Sequence, residues 1–248
     1  MSVYHTLRSS VVIGYMLSIA WVRRNLLSLV WLFATPFSIL FLITVTSGGH
    51  AFVQATIGTI LFVLATVGTG LAGDATWYRL EVKLQDLFVA SPVSQMGYLL
   101  GIALNGLFFA TPALVILLPV LVYLGLPLID LPLVMLAVCA VWLFSGILGY
   151  IVSTYVTNLR NGWQAGLLLS VIVAVIPPAF YPAEILPSDV LPIAYLMPTT
   201  HASLILRGFM GQTPELAYWS PAFGWTMLGV SLVVALLVMF RLARWRQP

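Results

Sequence analysis

Charge is the scarcest feature of this chain. Only 7% of its 248 residues are charged, ten cationic and seven acidic, whereas a soluble domain carries about a quarter. So few charges cannot coat a globule of this size in water, which excludes a freely soluble domain and leaves the hydrocarbon core as the solvent. Cysteine occurs once, as Cys139 inside an apolar run. A single cysteine excludes an internal disulfide and says little about redox compartment. Lysine also occurs once, as Lys83, and no G-x-x-x-x-G-K-[ST] is present. The chain therefore has no P-loop with which to bind ATP. It also lacks H-E-x-x-H, Cys/His metal spacing and G-x-S-x-G, and His5, His50 and His201 lie in separate segments. These absences assign no catalytic residue, no metal ligand and no cofactor to this chain.

What is present is apolar. Hydrophobic residues make up 61% of the chain, with a mean hydropathy of +1.08. The runs are long and show little strand-like alternation, which favours helices over a barrel. A spanning helix needs about 20 largely apolar residues. By that measure six spans are expected, at residues 26–46, 51–73, 97–126, 131–157, 165–181 and 222–240. The reading is an all-α integral membrane protein, with residues 1–248 forming a single transmembrane domain. Short linkers (TSGGHA and GLPLIDLP) make tight hairpins of spans one and two and of spans three and four.

The net charge of +3 could point to nucleic acid, but its placement points to a lipid bilayer. Arg8, Arg23, Arg24, Arg79, Lys83, Arg160, Arg241, Arg244 and Arg246 all fall on one side of the six-span arrangement, and only Arg207 falls on the other. The positive-inside rule makes that side, with both termini, cytoplasmic. The apolar stretch Val11–Val22 resembles a signal peptide in hydropathy, but Arg23 and Arg24 follow the run and no cleavage site does. Residues 3–22 are read as a helix lying on the cytoplasmic leaflet.

One segment breaks the shortage of charge. In GDATWYRLEVKLQDLFVASP (73–92), five charged residues fall between Asp74 and Asp86. At 100° per residue, Trp77, Leu80, Leu84, Leu87 and Phe88 share one arc, and Tyr78, Val82 and Val89 form a second strip. Arg79, Lys83 and Asp86 lie between the strips, with Glu81 and Gln85 opposite. Asp74 is expected to cap this helix and Pro92 to stop it. Two apolar strips separated by charge suit contact with the bundle on one side and another protein on the other. An ordinary amphipathic loop helix with a solvated face fits the same pattern.

The run QDLFVASPVSQMGYLLG resembles the first cytoplasmic loop of type-2 ATP-binding cassette transporter permeases, through Asp86-Leu87-Phe88, Pro92-Val93-Ser94 and Leu99-Leu100-Gly101. FYPAEILPSDVLPIAYLMPTTHASLILRG resembles the family's extracellular stretch between spans five and six, through Pro182, Leu186-Pro187, Pro198, Thr200-His201 and Leu206-Arg207-Gly208. The loop departs from the commonest family form, which has a more acidic lead-in and a Gly-Thr pair; Arg79 and Lys83 stand there instead. The resemblance implies that residues 77–90 form a coupling helix seated on a separate ATPase subunit, which would bind ATP and Mg. Trp77, Arg79, Glu81, Lys83, Asp86 and Phe88 would dock there, with Arg160 of the second cytoplasmic loop close by. It also implies a homodimer with a translocation path near spans two and five.

Small residues crowd span two, and two readings stand for them. They either pack within the subunit or face a translocation path through Thr59, Thr66 and Gly70, joined by Ser170 of span five. Between spans five and six, prolines and apolar residues suggest a short helical hairpin dipping into the outer leaflet. Thr199 or Thr200 is expected to cap its helix and Gly211 to end it. Glu184, Asp189, His201 and Arg207 would lie at the outer mouth. Arg207 there either pairs with Glu184 or bonds to helix-end carbonyls.

The span interiors so drawn hold no Asp, Glu, Lys, Arg or His. That argues against a proton-coupled transporter and favours a hydrophobic or amphipathic substrate. The expected function is the permease subunit of an exporter in the plasma membrane, powered by a separate ATPase subunit and paired with a second copy of itself. The rival is a six-helix membrane protein without ATP-linked transport, for binding or assembly, such as the substrate-capture component of a vitamin importer. The rival predicts no charged docking helix between spans two and three.

Overall fold

In the computed structural model the described residues are 3–24, 26–91, 93–212, 216 and 219–243, with backbone alone at 3, 19–24, 26–29, 31–33, 85, 86, 89 and 95. The side chains of Arg23, Arg24 and Asp86, and all of Pro92, Arg244 and Arg246, lie outside that description. No strand occurs among the described residues. The helices are α1 (Val3–Arg24), α2 (Leu26–Thr46), α3 (Phe52–Thr69), α4 (Leu71–Leu80), α5 (Leu84–Val89) and α6 (Gln95–Tyr123). They continue with α7 (Leu131–Ser153), α8 (Leu159–Ser170), α9 (Leu191–Ala194), α10 (Pro198–Phe209) and α11 (Pro221–Leu242).

Four helical stretches are long and apolar enough to cross a membrane: Phe52–Leu80, Met96–Tyr123, Leu128–Ser153 and Pro221–Leu242. Shorter apolar helices at Ala34–Thr46 and Leu159–Val175 correspond to the first and fifth expected spans. The fold is thus that of an α-helical membrane protein.

Its axis is the rod formed by α3 and α4. Gly70 joins them with helical dihedrals (φ −56°, ψ −21°), so the chain does not turn there. In this rod 89% of the apolar window is buried within the chain, against 22% for Pro221–Leu242. Glycines make that enclosure possible. A Cβ at Gly68 would stand 2.7 Å from Ser145 Cβ, and one at Gly149 would stand 2.9 Å from the carbonyl oxygens of both Gly68 and Thr69. On the α8 side, Gly162 lies against Ala72 and Thr76, and Gly166 against Thr69. The packing reading of the small residues therefore describes the glycine seams of this chain. Hydrocarbon tails are as apolar as leucine, so close backbone approach is what favours helix–helix contact over lipid contact.

The rod runs on past Gly73, and this alters two expectations. Asp74 is inside α4 and caps nothing; α4 has Gly70 at its cap position, with no side-chain cap bond. Residues 77–90 do not form one helix either. The backbone breaks at Glu81–Lys83, where Lys83 is left-handed (φ 53°), before the six residues of α5. The wheel drawn across 77–90 therefore assumed a constant turn that the chain interrupts, and Trp77 and Leu84 do not share a helical face.

The N-terminal helix has a neighbour that the sequence did not indicate. It packs lengthwise on the first turns of α6. Thr6 meets Ser94, Ser10 Oγ donates to Gly97 O at 3.1 Å, and Ile13 and Gly14 lie on Gly101. These contacts advance in the same direction along both helices, so the two run parallel. Ser10, Gly14 and Ser18 recur every four residues and supply the small face the seam needs.

The fifth apolar helix starts and ends about six residues earlier than its sequence boundaries suggest. Asn158 Oδ1 accepts from Asn161 N (2.8 Å) and caps α8. The helix then widens into a π turn at Val171–Val175, where Ile176 N donates to Val171 O (3.0 Å). Pro177 has no N–H for the carbonyl four residues back, Val173 O. The Thr199 hydroxyl from α10 donates to that oxygen instead. Thr200 likewise donates to Ala194 O (2.6 Å). Neither threonine caps α10, whose cap position is Met197. Gly211 does end the segment, with φ at +72°.

The seam sets a first prediction. Gly149→Ala forces a methyl against two backbone carbonyls and should destabilise the protein by about 1–3 kcal/mol. Gly208→Ala, which meets nothing within 4 Å, should cause no loss. Thermal unfolding of the two purified variants in detergent checks the contrast.

Candidate functional site

At the Leu80 end of the rod the chain leaves the bundle and returns. Glu81, Val82 and Lys83 are all exposed there, and Leu87 is 67% exposed. Together they make a small knob of mixed charge and hydrocarbon. Its base is fixed: Arg79 Nη2 donates to Ser153 O (2.7 Å), at the end of α7, and to Val156 O, in the turn that follows. A cation at a helix C-terminus also complements the helix dipole. Arg79 thus bonds within the chain. Phe88 turns inward onto Tyr98, with ring centroids 5.4 Å apart. Trp77 is partly exposed (37%). Arg160, two residues into α8, is exposed at this same end, because Gly162 and Trp163 pack on the rod at Thr76 and Gly73. Of the seven docking residues expected from sequence, Trp77, Glu81, Lys83 and Arg160 offer exposed side chains here. Arg79 and Phe88 face inward, and the Asp86 side chain is outside the described set.

The four residues expected along a path divide in two. Thr59 is fully buried, its hydroxyl donating to Ala55 O at 2.7 Å. Ser170 is buried and donates to Leu167 O at 2.8 Å. Both belong to the interior of this chain. Thr66 and Gly70 are half-buried. Asp74 and Trp77 continue their line at helical spacing, so one edge of the rod stays partly uncovered from Thr66 to Trp77. Asp74 is the residue the sequence reading misplaced, as a cap, when it lies within α4. The run GTGLAGD looks like the end of a span, which placed this carboxylate outside the bilayer helix that actually carries it.

At the Phe52 end a second polar assembly forms. Gln54, 5% exposed, donates through Nε2 to Ala179 O (2.6 Å) and Ser203 Oγ (3.3 Å). It pins the proline-broken stretch and α10 to the rod. Phe180 then covers Gly58. Gln54 was not singled out in the sequence; a lone amide among apolar residues at the start of a span is the signal that marks it.

Two of the four residues expected at the outer mouth meet. Arg207 binds Glu184 through both guanidinium nitrogens, Nη1 to Oε2 at 2.9 Å and Nη2 to Oε1 at 3.0 Å. This is the single ion pair among the described residues. Burial pushes the Glu184 carboxyl up, but the hydrogen bonds and charge of Arg207 outweigh it and hold the group below its ordinary value. Asp189 stays apart and accepts only from Ser188. His201 is 1% exposed and lies inside, not at the surface. Its Nε2 donates to Tyr195 O (2.8 Å), and its ring stacks on Tyr195 with Phe223 at its edge. Burial lowers its pKa, so it is held neutral.

No metal-binding cluster of His, Cys, Asp or Glu occurs among the described residues. No protein-family model matches the chain, and no curated protein matches it.

The two titrating groups set a pH prediction. The contribution of Glu184 is complete above its ordinary value of 4.5 and is lost as pH falls through the lower folded value. His201 acts at higher pH. Below 6.5 the unfolded chain takes up a proton that the buried ring refuses, so stability drops as pH falls. Melting temperature should therefore decline in two acid steps. Glu184→Gln should remove the lower step and His201→Gln the upper one. At neutral pH Glu184→Gln should cost about 1.5–3 kcal/mol, the range of hydrogen bonds to charged groups.

Proposed function

We propose that this chain is the membrane subunit of an exporter driven by a separate ATP-binding cassette ATPase, acting as a homodimer in the cell membrane with six spans and cytoplasmic termini. One observation carries the reading: the exposed knob Glu81–Lys83 and Leu87 caps the very helix on which the rest of the bundle packs. A push on the knob moves the rod, and the glycine seams pass that movement to α7 and α8. The cation excess on one side of the six-span arrangement supports a cytoplasmic knob, where an ATPase would meet it. Lacking a P-loop of its own, the chain depends on a partner for the energy.

ATP binding would draw two ATPase subunits together, and each knob would carry that motion into its rod. The half-buried edge from Thr66 to Trp77 is the part of the rod open to a second copy or to a substrate. Its make-up of small residues, one carboxylate and one indole suits an amphipathic molecule moving outward. The Arg207–Glu184 pair ties down the far end of the same assembly.

The test uses the chain co-expressed with a candidate P-loop ATPase, sought first in the neighbouring reading frames. Glu81→Lys combined with Lys83→Asn alters the charge of the knob, and asparagine tolerates the left-handed backbone. Association measured on the purified complex should weaken at least about tenfold, the scale expected for losing complementary interface charge. Substrate-stimulated ATP hydrolysis should fall with it. Unchanged association would sink the docking assignment.

A further inference from the structure

The seam between α1 and α6 buries the small residues of α1 and leaves its apolar ones outside. Tyr4, Leu7, Val11, Tyr15 and Met16 are between 54% and 67% exposed. Arg8 is exposed on the same helix and forms no ion pair among the described residues. Beside it, a cavity of about 360 Å³ opens between α1 and the turn that leads into α6. Arg8 supplies the cation at its rim, beside His5 and Ser9; Val12, Ile13, Phe88 and Val93 form its apolar walls. No carboxylate among the described residues lines it.

Its depth is set by the chain. Val93 lies three residues before the span Met96–Tyr123, so the cavity sits at the membrane boundary, where lipid phosphates lie. The excess of cations on this side makes that boundary cytoplasmic. The lining then selects among anions. A free phosphate would use Arg8 and leave four apolar side chains facing water. An acidic peptide would do the same. A phospholipid satisfies both halves: its phosphate meets a guanidinium, which suits phosphate geometry better than an ammonium does, and its hydrocarbon covers the walls. The exposed stripe Val11–Tyr15 continues from the cavity and offers an acyl chain a track along α1.

We propose that this cavity holds the headgroup of an anionic phospholipid of the adjoining leaflet, with Arg8 on the phosphate and an acyl chain along the outer face of α1. The site is independent of the export reading and rests only on the placement of α1 and α6 at the membrane.

The test is native mass spectrometry of the purified full chain after incubation with equal amounts of phosphatidylglycerol and phosphatidylcholine. The wild-type chain should retain the anionic lipid about fivefold over the neutral one, as one basic residue at an anionic surface allows. Arg8→Gln should lose this preference, while Arg241→Gln, the same charge change on exposed α11, should keep it. Val12→Trp should expel the lipid without altering charge. Melting temperatures without lipid verify that each variant folds. The proposal is overturned if Arg8→Gln keeps the preference, if both arginine variants lose it equally, or if millimolar inorganic phosphate displaces the lipid.

Discussion

The close approach of backbones around the α3–α4 rod is the constraint on which the rest of the structure depends. In lipid, leucine on leucine gains little over leucine on an acyl chain. The bundle therefore gains by contacts that lipid cannot make, with helix axes near enough for backbone to touch backbone. Gly68, Gly149, Gly162 and Gly166 provide that proximity. α7 and α8 settle on either side of the rod because their small residues face it, and α6 joins where Gly106 admits Val67.

A second constraint follows from the same solvent. Every irregularity in a helix frees a carbonyl that the bilayer cannot satisfy. At three places the chain answers with a side chain from a distant element. Thr199 takes the carbonyl that Pro177 abandons, Arg79 takes those at the end of α7 and in the turn that follows, and Gln54 takes Ala179 O in the proline-broken stretch. These three residues hold α10, α7 and the 177–182 segment to their neighbours. The polar residues of this chain act largely as ties for backbone groups, which explains why so few suffice.

Much of this was legible in the sequence, and the failures share a cause. Hydropathy located the apolar helices, the short linkers and the proline break after α8, because each depends on a local property. The Glu184–Arg207 contact was one of two readings there, and composition had no means of choosing between them. Asp74 and the 77–90 segment were misread because the ends of a buried helix are set by what packs on it. Gly73 looks like a terminus in sequence, but Trp163 seals it into the bundle, so the helix continues to Leu80. The break then falls at Lys83, a residue with no turn signature of its own. His201 followed the same pattern: a polar residue after P-x-T reads as surface, yet Tyr195 and Phe223 enclose it.

The seams also decide what kind of motion the chain can make. A rod whose glycines contact carbonyls at van der Waals limits cannot slide by a fraction of a side chain, because packed interfaces are bistable rather than continuously deformable. A displacement at Glu81–Lys83 must then rotate or shift the rod together with α7 and α8. Arg79 reinforces this by tying the base of the knob to the end of α7. The helical hydrogen-bond ladder is interrupted elsewhere, at the π turn of Val171–Val175 and the prolines behind it, and such interruptions are where a helix bends most readily. On the export reading, force entering at the Leu80 end would be relieved at that interruption, directly beneath the α10 assembly that Arg207 and Glu184 hold shut. On that same reading the close-packed rod and the interrupted helix would act in series between the knob and the far side.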